Sequence, residues 1–428
     1  MELKRDIIIV GSGAGGATLA RELTRAGRRV TIIEKGAFYK SLGKEIPAFF
    51  FYAGHGLWYR STEGLIIHHT QMVGGTTVVS CGNMVRSLEY KLNNLNINLE
   101  NEFKELEKEL NIKPISENFI GTGTSLLLKS ARDLGLKMEL MPKALDEKKC
   151  IHCGRCVLGC PTGAKWSALD YIKEAIDMGA ELIPKVVIDK VTVENGQAVG
   201  IQGTNLYGKK IKFFANKIIL AAGGIGTPII LRKSGLLEAG NNLFGDLFTV
   251  TYGISKKAIG IYRDPTMGIV DLEFKEEGFI LAPFIDPPIT LFMQLFPLKM
   301  NILINRKYIF GMEVKIKDDN VGNVTSDGII NKTITKQDAI KLRKGQEIAK
   351  NILINAGIMP DSLITTKIRA AHLGGTAAFA KVVNNNQETK IKNLFISDAS
   401  ILPESPGLPP ILTIIALSKR LANYLTKK

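Results

Sequence analysis

Apolar and polar positions fall along this chain in two rhythms, and each marks where one kind of element is expected. Asp6-Ile-Ile-Ile-Val10 is a short unbroken apolar run, the pattern of a strand buried on both faces. Ala17 to Arg25 then carries apolar residues at helical spacing, and Arg29-Val-Thr-Ile-Ile33 returns to a strand. Leu99, Phe103, Leu106 and Leu110 recur at helical intervals among glutamates and lysines, which predicts a charged helix over 95–115. Val186 to Val193 and Ala198 to Gln202 flank Glu194-Asn195-Gly196, a hairpin signal because Asn-Gly readily takes the positive φ of a tight turn. Val250 to Ile254 and Tyr308 to Lys317 read as strands of a second sheet.

Two apolar stretches stand out from these rhythms. The longer, Phe279 to Leu298, is interrupted by Pro283, Asp286, Pro287, Pro288 and Pro297, which argue against a membrane-spanning helix. The shorter is Ile46-Pro-Ala-Phe-Phe-Phe-Tyr52. Buried core is the default for both; a large apolar pocket or a peripheral membrane contact is the alternative.

Between the first strand and helix lies Gly11-Ser-Gly13-Ala-Gly15-Gly16, the dinucleotide fingerprint in its required context. Gly11 makes the tight turn, Gly13 lets a pyrophosphate approach the backbone, and Gly16 lets helix and strand pack. Glu34, at the end of the second strand, is placed to accept hydrogen bonds from ribose hydroxyls. The fingerprint alone does not separate FAD from NAD.

Four of the five cysteines sit in Cys150-Ile-His-Cys153-Gly-Arg-Cys156-Val-Leu-Gly-Cys160-Pro161, the spacing with which bacterial ferredoxins hold a [4Fe-4S] cluster. A structural zinc site usually separates its cysteines into two distant pairs, and a disulfide knot needs an oxidising compartment. In two-cluster ferredoxins the cysteine before proline serves the other cluster, and there is no second motif here. The fourth ligand is therefore either Cys160 or the remaining cysteine, Cys81, whose other reading is an ordinary buried residue.

Further segments resemble one family. Val73-Gly74-Gly75-Thr76-Thr77-Val-Val-Ser-Cys-Gly-Asn-Met84 is similar to the flavin-contact signature of the glucose-methanol-choline oxidoreductases. Leu220-Ala-Ala222-Gly223-Gly-Ile-Gly-Thr-Pro-Ile-Ile-Leu231 resembles their second signature. His372-Leu-Gly-Gly-Thr376 and Asn393 to Thr413 resemble their C-terminal block. The matches run in family order and leave roughly residues 241–360 unmatched. The resemblance implies FAD and an α/β architecture: a Rossmann-like FAD-binding domain assembled from discontinuous segments, 1–40, 71–140, 166–240 and 361–428. A lid or substrate-contact segment over 41–70, an iron-sulfur insertion over 141–165 and a sheet-based α+β substrate domain over 241–360 complete it.

Residue roles follow from the same resemblance. Gly74 and Gly75 let backbone lie against the cofactor, Thr76 and Thr77 supply hydroxyls, and Ala222 and Gly223 let the nucleotide pass closely. Asp398 corresponds to the acidic residue near the ribityl-pyrophosphate region, with a plain helix cap as the alternative. His372 corresponds to the histidine facing the flavin's reactive edge, where it takes a proton from a substrate hydroxyl. Two positions depart from the family. Pro409 stands where a second histidine or an asparagine is usual, and Val79 and Ser80 stand where some relatives bond flavin covalently, so noncovalent FAD is expected. Gly159-Cys160-Pro-Thr-Gly163-Ala-Lys165-Trp-Ser167 resembles a segment of the long-chain alcohol oxidase branch, so Cys160 occupies an old family position and the other three cysteines are additions.

A cluster beside a flavin splits a hydride into single electrons, which favours a dehydrogenase acting on a CH-OH group over an oxidase. Two other readings stand beside it: a ferredoxin-driven reductase of a C=C or quinone-like lipid, and an electron-transfer subunit with no substrate of its own. The formal charge of +15 comes from lysines scattered along the chain without a nucleic-acid module, so an acidic one-electron carrier such as ferredoxin or an anionic membrane surface is expected rather than nucleic acid, with a solvated lysine-rich surface as the plain alternative. With the first strand starting at Asp6 no leader is expected, and thiolate ligands call for a reducing compartment, the cytoplasm.

Overall fold

The computed structural model describes residues 5–53, 59–295 and 306–427. β1 (Arg5–Val10) lies parallel to β2 (Val30–Ile33) and to the strand Lys210–Leu220, with Glu181–Ile183 beyond β2. β1 is buried from Ile7 onward and all of β2 is buried, as expected where helices cover both faces of a parallel sheet. The first half of Lys210–Leu220 pairs antiparallel with Gln197–Asn205, and its second half pairs parallel with Leu394–Ile396. The hairpin Val186–Glu194 and Gln197–Asn205 turns through Asn195 and Gly196, both at positive φ. α1 (Ala14–Arg25) lies on this sheet between the helices Ala168–Asp177 and Ile411–Thr426.

α1 starts at Ala14, three residues earlier than its apolar spacing predicts, because Gly15 and Gly16 form its first turn. A Cβ on Gly15 would lie 1.7 Å from the Ser397 carbonyl oxygen, and one on Gly16 would lie 2.0 Å from that of Gly11. The helix therefore packs at a distance that only glycine permits. The charged helix expected over 95–115 is confined to Glu100–Glu109. Asparagines delimit it: the Asn98 side chain accepts the Glu100 N–H at 2.9 Å, and Asn111 turns away at φ 48°.

The second sheet is built around β3 (Leu247–Ile254) and β4 (Ile309–Ile316), antiparallel and buried along their whole length. Phe279–Pro283 and Ile269–Asp271 extend it on one side. Met138–Leu140, Ile364–Thr365 and Arg369–Ala370, which the sequence reading groups with the first domain, hydrogen-bond into this second sheet, as does Ile66–Ile67. The helix Lys336–Asn355 covers one face, its Gly345 close against Val314. The other face carries Phe248, Glu313 and Lys315 toward the first sheet.

Neither apolar stretch forms a long helix. Phe279 to Leu298 becomes a buried strand and the helix Pro288–Leu295, with 296–298 outside the described residues. Glu45–Ala53 is helical; Ala48 and Phe51 are buried, while Ile46 and Phe50 are exposed. No described helix is long and apolar enough to cross a membrane. The cysteine segment hangs as a loop closed at its base, where Trp166 N–H donates to Ala144 O at 3.0 Å and Asp146 N–H donates to Ala164 O at 2.8 Å.

Candidate functional site

A cavity of about 420 Å³ lies between the two sheets, with the glycine loop at one end and His372 at the other. Gly11, Gly13 and Glu34 line it, as do Gly75, Thr76 and Thr77. Ala222, Gly223, Asp398 and Pro409 complete that half. Gly16 and Gly74 stand one layer behind: Gly16 under Gly11, and Gly74 with its N–H on the Ser12 hydroxyl at 3.0 Å.

The residues of this half fit a dinucleotide. A Cβ on Gly13 would meet nothing within 4 Å, so the loop is open toward the cavity where Gly11 and Gly16 are closed by backbone. α1 has no side-chain cap and no acidic residue in its first turn, leaving its N–H groups available to phosphate. Glu34 closes the turn from the other side. Its Oε2 accepts the N–H and hydroxyl of Ser12 at 2.9 and 2.7 Å, and its Oε1 accepts the Gly36 N–H at 2.7 Å. Thr77 shapes the wall by donating to Gly74 O at 2.6 Å and accepting from Ala168 N–H. Asp398 joins both readings offered for it: Oδ1 caps Ser400 at 2.8 Å, and Oδ2 accepts the Gly223 N–H at 2.8 Å beside the cavity. Burial raises its pKa against those hydrogen bonds.

At the far end the His372 Nδ1 lies 3.0 Å from Asp246 Oδ2. Asp246 is fully buried at φ 45°, and its Oδ1 accepts from the Ser405 hydroxyl at 2.6 Å and the Gly407 N–H at 3.1 Å. Burial works against its charge, but Lys315, 3.7 Å away, together with His372 and Ser405 holds it below the usual carboxylate range. Burial pushes His372 down, Lys315 adds to this, and Asp246 resists. The imidazole is thus neutral at pH 7, with its proton on Nδ1 facing an ionised carboxylate and the Nε2 lone pair left to accept.

Glu313 stands two residues before Lys315 on the same face of β4 and also lines the cavity. Burial pushes its carboxyl up to about 7, with Lys315 and Arg369 pulling the other way. Deeper in the wall, Arg369 donates to Asp286 at 2.7 Å, and the Tyr252 hydroxyl donates to the other Asp286 oxygen at 2.7 Å. Asp246, Glu313 and Lys315 escaped the sequence reading because they fall in the segment without motif matches. One signal was available: in Ile-Phe-Gly-Met-Glu313-Val-Lys315-Ile the only charges of an apolar strand share one face.

The cysteine loop backs onto the same cavity. Val157 lines it, and the Tyr52 hydroxyl donates to Val157 O at 2.6 Å. Cys81 lines it too, its thiol pushed up to about 12 by burial and by Cys156. Burial likewise raises Cys150 and Cys153, against backbone N–H groups of His152 and Arg155. Cys160 resists its burial: the Thr162 hydroxyl and backbone N–H groups, Ala164's at 3.3 Å among them, hold it below the ordinary thiol range. The four loop cysteines are near enough that charge on Cys153, Cys156 or Cys160 raises Cys150. Among the described residues no group of three His, Cys, Asp or Glu side chains is arranged to hold a metal ion.

Two buried lysines press on this region. Lys143 donates to Cys81 O at 2.9 Å, to Thr266 O at 3.0 Å and to the Asn83 side chain. Lys165 donates to Val78 O at 2.7 Å and to Thr77 O at 3.4 Å.

Comparison with known proteins places these features in context. A GMC oxidoreductase family model matches residues 5–248, and its C-terminal counterpart matches residues 328–418. The chain is 32% identical over 428 residues to an uncharacterized protein of Methanocaldococcus jannaschii, MJ1450, covering 98% of this chain and 99% of that one. It is 24% identical over 514 residues to the long-chain-alcohol oxidase FAO4B of Arabidopsis thaliana, covering 100% of this chain and 68% of that one. Among solved structures, a formate oxidase from Aspergillus oryzae RIB40, studied for its FAD modification, superposes with a TM-score of 0.76 at 14% identity, covering 100% of this chain and 99% of that one.

Proposed function

The chain belongs to the GMC oxidoreductase family, FAD-dependent enzymes acting on CH-OH groups, and from that premise we propose that it is a dehydrogenase of an apolar alcohol carrying one [4Fe-4S] cluster. One observation carries the reading: a single cavity joins the open glycine loop to the His372–Asp246 pair and has Val157, between two loop cysteines, in its wall. When bound, noncovalent FAD supplies a hydride acceptor and the cluster supplies a one-electron outlet to an acidic carrier.

The chain's own residues prepare the substrate. Nε2 of the neutral His372 takes the hydroxyl proton, and the ionised Asp246 steadies the imidazolium that results. Asp246 is itself fixed by Ser405, Gly407 and Lys315, so the imidazole is oriented before substrate arrives. Phe248, Ile225 and Ile229 give the cavity an apolar lining suited to an alkyl chain, consistent with the name of the Arabidopsis relative. Pro409 offers no acid or base, and Lys315 and Glu313 supply the charge near His372 instead.

The cluster is supported by the ferredoxin spacing and by the backbone N–H groups on Cys150, Cys153 and Cys160. The four loop cysteines would hold it, with Cys81 as the alternative fourth ligand. Arg155, Arg263 and Arg306 border a smaller pocket beside Cys153, a basic edge for an acidic carrier. A second reading, reduction of a C=C or quinone-like lipid with electrons from ferredoxin, draws on Glu313, a buried carboxyl half-protonated near neutrality and able to donate.

The test is anaerobic purification with flavin, iron and sulfide quantitation, followed by anaerobic mixing with long-chain alcohols while flavin absorbance is followed. FAD, about four irons and bleaching by alcohol support the dehydrogenase. Bleaching lost in His372→Asn supports proton transfer there and unchanged bleaching refutes it, whereas wild-type flavin that no alcohol bleaches favours an electron-relay subunit.

A further inference from the structure

Four carboxyl groups line the cavity: Glu34, Asp286, Glu313 and Asp398. Three of them are engaged. Glu34 holds the glycine turn through Ser12 and Gly36, Asp398 takes Gly223, Thr227 and Ser400, and Asp286 takes Arg369 and the Tyr252 hydroxyl. Glu313, only 6% exposed, has neither a hydrogen bond nor an ion pair among the described residues. Its place on β4 explains why. Val314 faces Gly345 of the covering helix, so Glu313 and Lys315 project to the cavity side. Across the sheet Glu313 is paired with Val250 and Ala282, whose side chains carry no donor. Lys315, the next residue on the same face, is turned to Asp246 instead. A buried carboxyl left without a partner costs the fold stability that a bound donor restores.

Deepening the alcohol reading above, on which this rests, we infer that Glu313 is a second hydroxyl-binding group of the cavity and that the preferred substrate is a diol, an apolar chain with one hydroxyl at His372 and another, close by in the chain, at Glu313. The two groups belong to one neighbourhood: Lys315, beside Glu313 on the strand, reaches the same Asp246 that holds His372. Phe248 and Phe284 leave the remaining wall apolar for the chain. The surrounding charges pair off, Lys315 with Asp246 and Arg369 with Asp286, so no surplus negative charge beyond Glu313's own awaits an ammonium. Burial raises Glu313 toward neutrality, where it accepts in one form and donates in the other, as a hydroxyl does. Glu313 is thus a specificity-determining residue, and the proton transfer stays with His372.

The experiment is anaerobic flavin reduction by decanol, by vicinal decanediol, by the decanediol with one more carbon between its hydroxyls, and by the vicinal amino alcohol. Wild-type holoprotein is compared with Glu313→Gln and Glu313→Leu. In wild type the half-saturating concentration of the better diol is expected to lie about tenfold or more below that of decanol. It should rise in Glu313→Gln and meet decanol's in Glu313→Leu. Thermal unfolding of dithionite-reduced holoprotein, which binds the diol without oxidising it, covers a variant that turns over poorly: the diol should raise the unfolding temperature of wild type and not of Glu313→Leu. Equal half-saturation by decanol and both diols in wild type overturns the inference and leaves the alcohol reading in place. A diol preference that survives Glu313→Leu also overturns it, because another group then holds the second hydroxyl. An amino alcohol preferred over both diols, and no longer preferred in Glu313→Leu, overturns the hydroxyl assignment in favour of a cation. Wild-type flavin that none of these compounds bleaches overturns the alcohol reading itself, and this inference with it.

Discussion

Replacing Glu313 with glutamine should stabilise the protein, and only on the alkaline side. Glu313 is 6% exposed, and burial moves its titration from the ordinary 4.5 to about 7. A carboxyl raised in the folded state is harmless below its unfolded pKa and becomes a burden as pH climbs past the folded one, because the fold must then bury a charge that the unfolded chain keeps in water. Each pH step between those two values costs about 1.4 kcal/mol, so the full burden is about 3 kcal/mol once both states are ionised. Glutamine keeps the shape and removes the charge. Urea unfolding of wild type and Glu313→Gln at about pH 4 and about pH 9 measures it. Equal stability in acid and a gain of about 3 kcal/mol in base are expected. A gain of the same size at both pH values, or a loss in base, would refute a buried carboxyl forced to ionise.

Three further outcomes follow from the geometry. Gly16→Ala should yield misfolded protein by circular dichroism, since its Cβ would overlap the Gly11 carbonyl, whereas Gly13→Ala should fold normally and lose flavin, since its Cβ would enter the cavity. Arg369→Met should lower stability by about 3–5 kcal/mol in urea titration by stranding Asp286 without its partner. Asp246→Asn should slow flavin reduction about 100-fold or more, and the acid limb of its pH profile, already below the ordinary histidine pKa, should move lower still because Asp246 is what holds His372 up.

The first domain was readable because its constraints are local: a strand, a glycine turn and a helix within a short span must carry their own signals in sequence. The hairpin at Asn195-Gly196 was readable for the same reason. Strand partners were not, since Met138–Leu140 and Arg369–Ala370 are three and two residues long and take their place from what they pair with rather than from any pattern of their own. The helix read over 95–115 is shorter, running only between the flanking Leu99 and Leu110, because the Asn98 side chain takes the Glu100 N–H at one end and Asn111 leaves helical backbone at positive φ at the other. His372 carried a motif, but Asp246 did not. Its role comes from a left-handed backbone turn that seats a carboxylate under an imidazole 126 residues away in the chain.

The cysteine loop leaves and rejoins the fold at neighbouring backbone positions, Ala144 and Trp166 sharing a hydrogen bond at its base. A segment with touching ends can be removed or acquired without re-threading anything else. A short turn joining Asp146 to Ala164 would leave both sheets where they are and open the cavity only where Val157 now stands. The loop is therefore a modular element: whatever chemistry its four cysteines carry could be grafted into a relative that lacks them, provided that the host also supplies the residues that Val157 and Leu158 pack against.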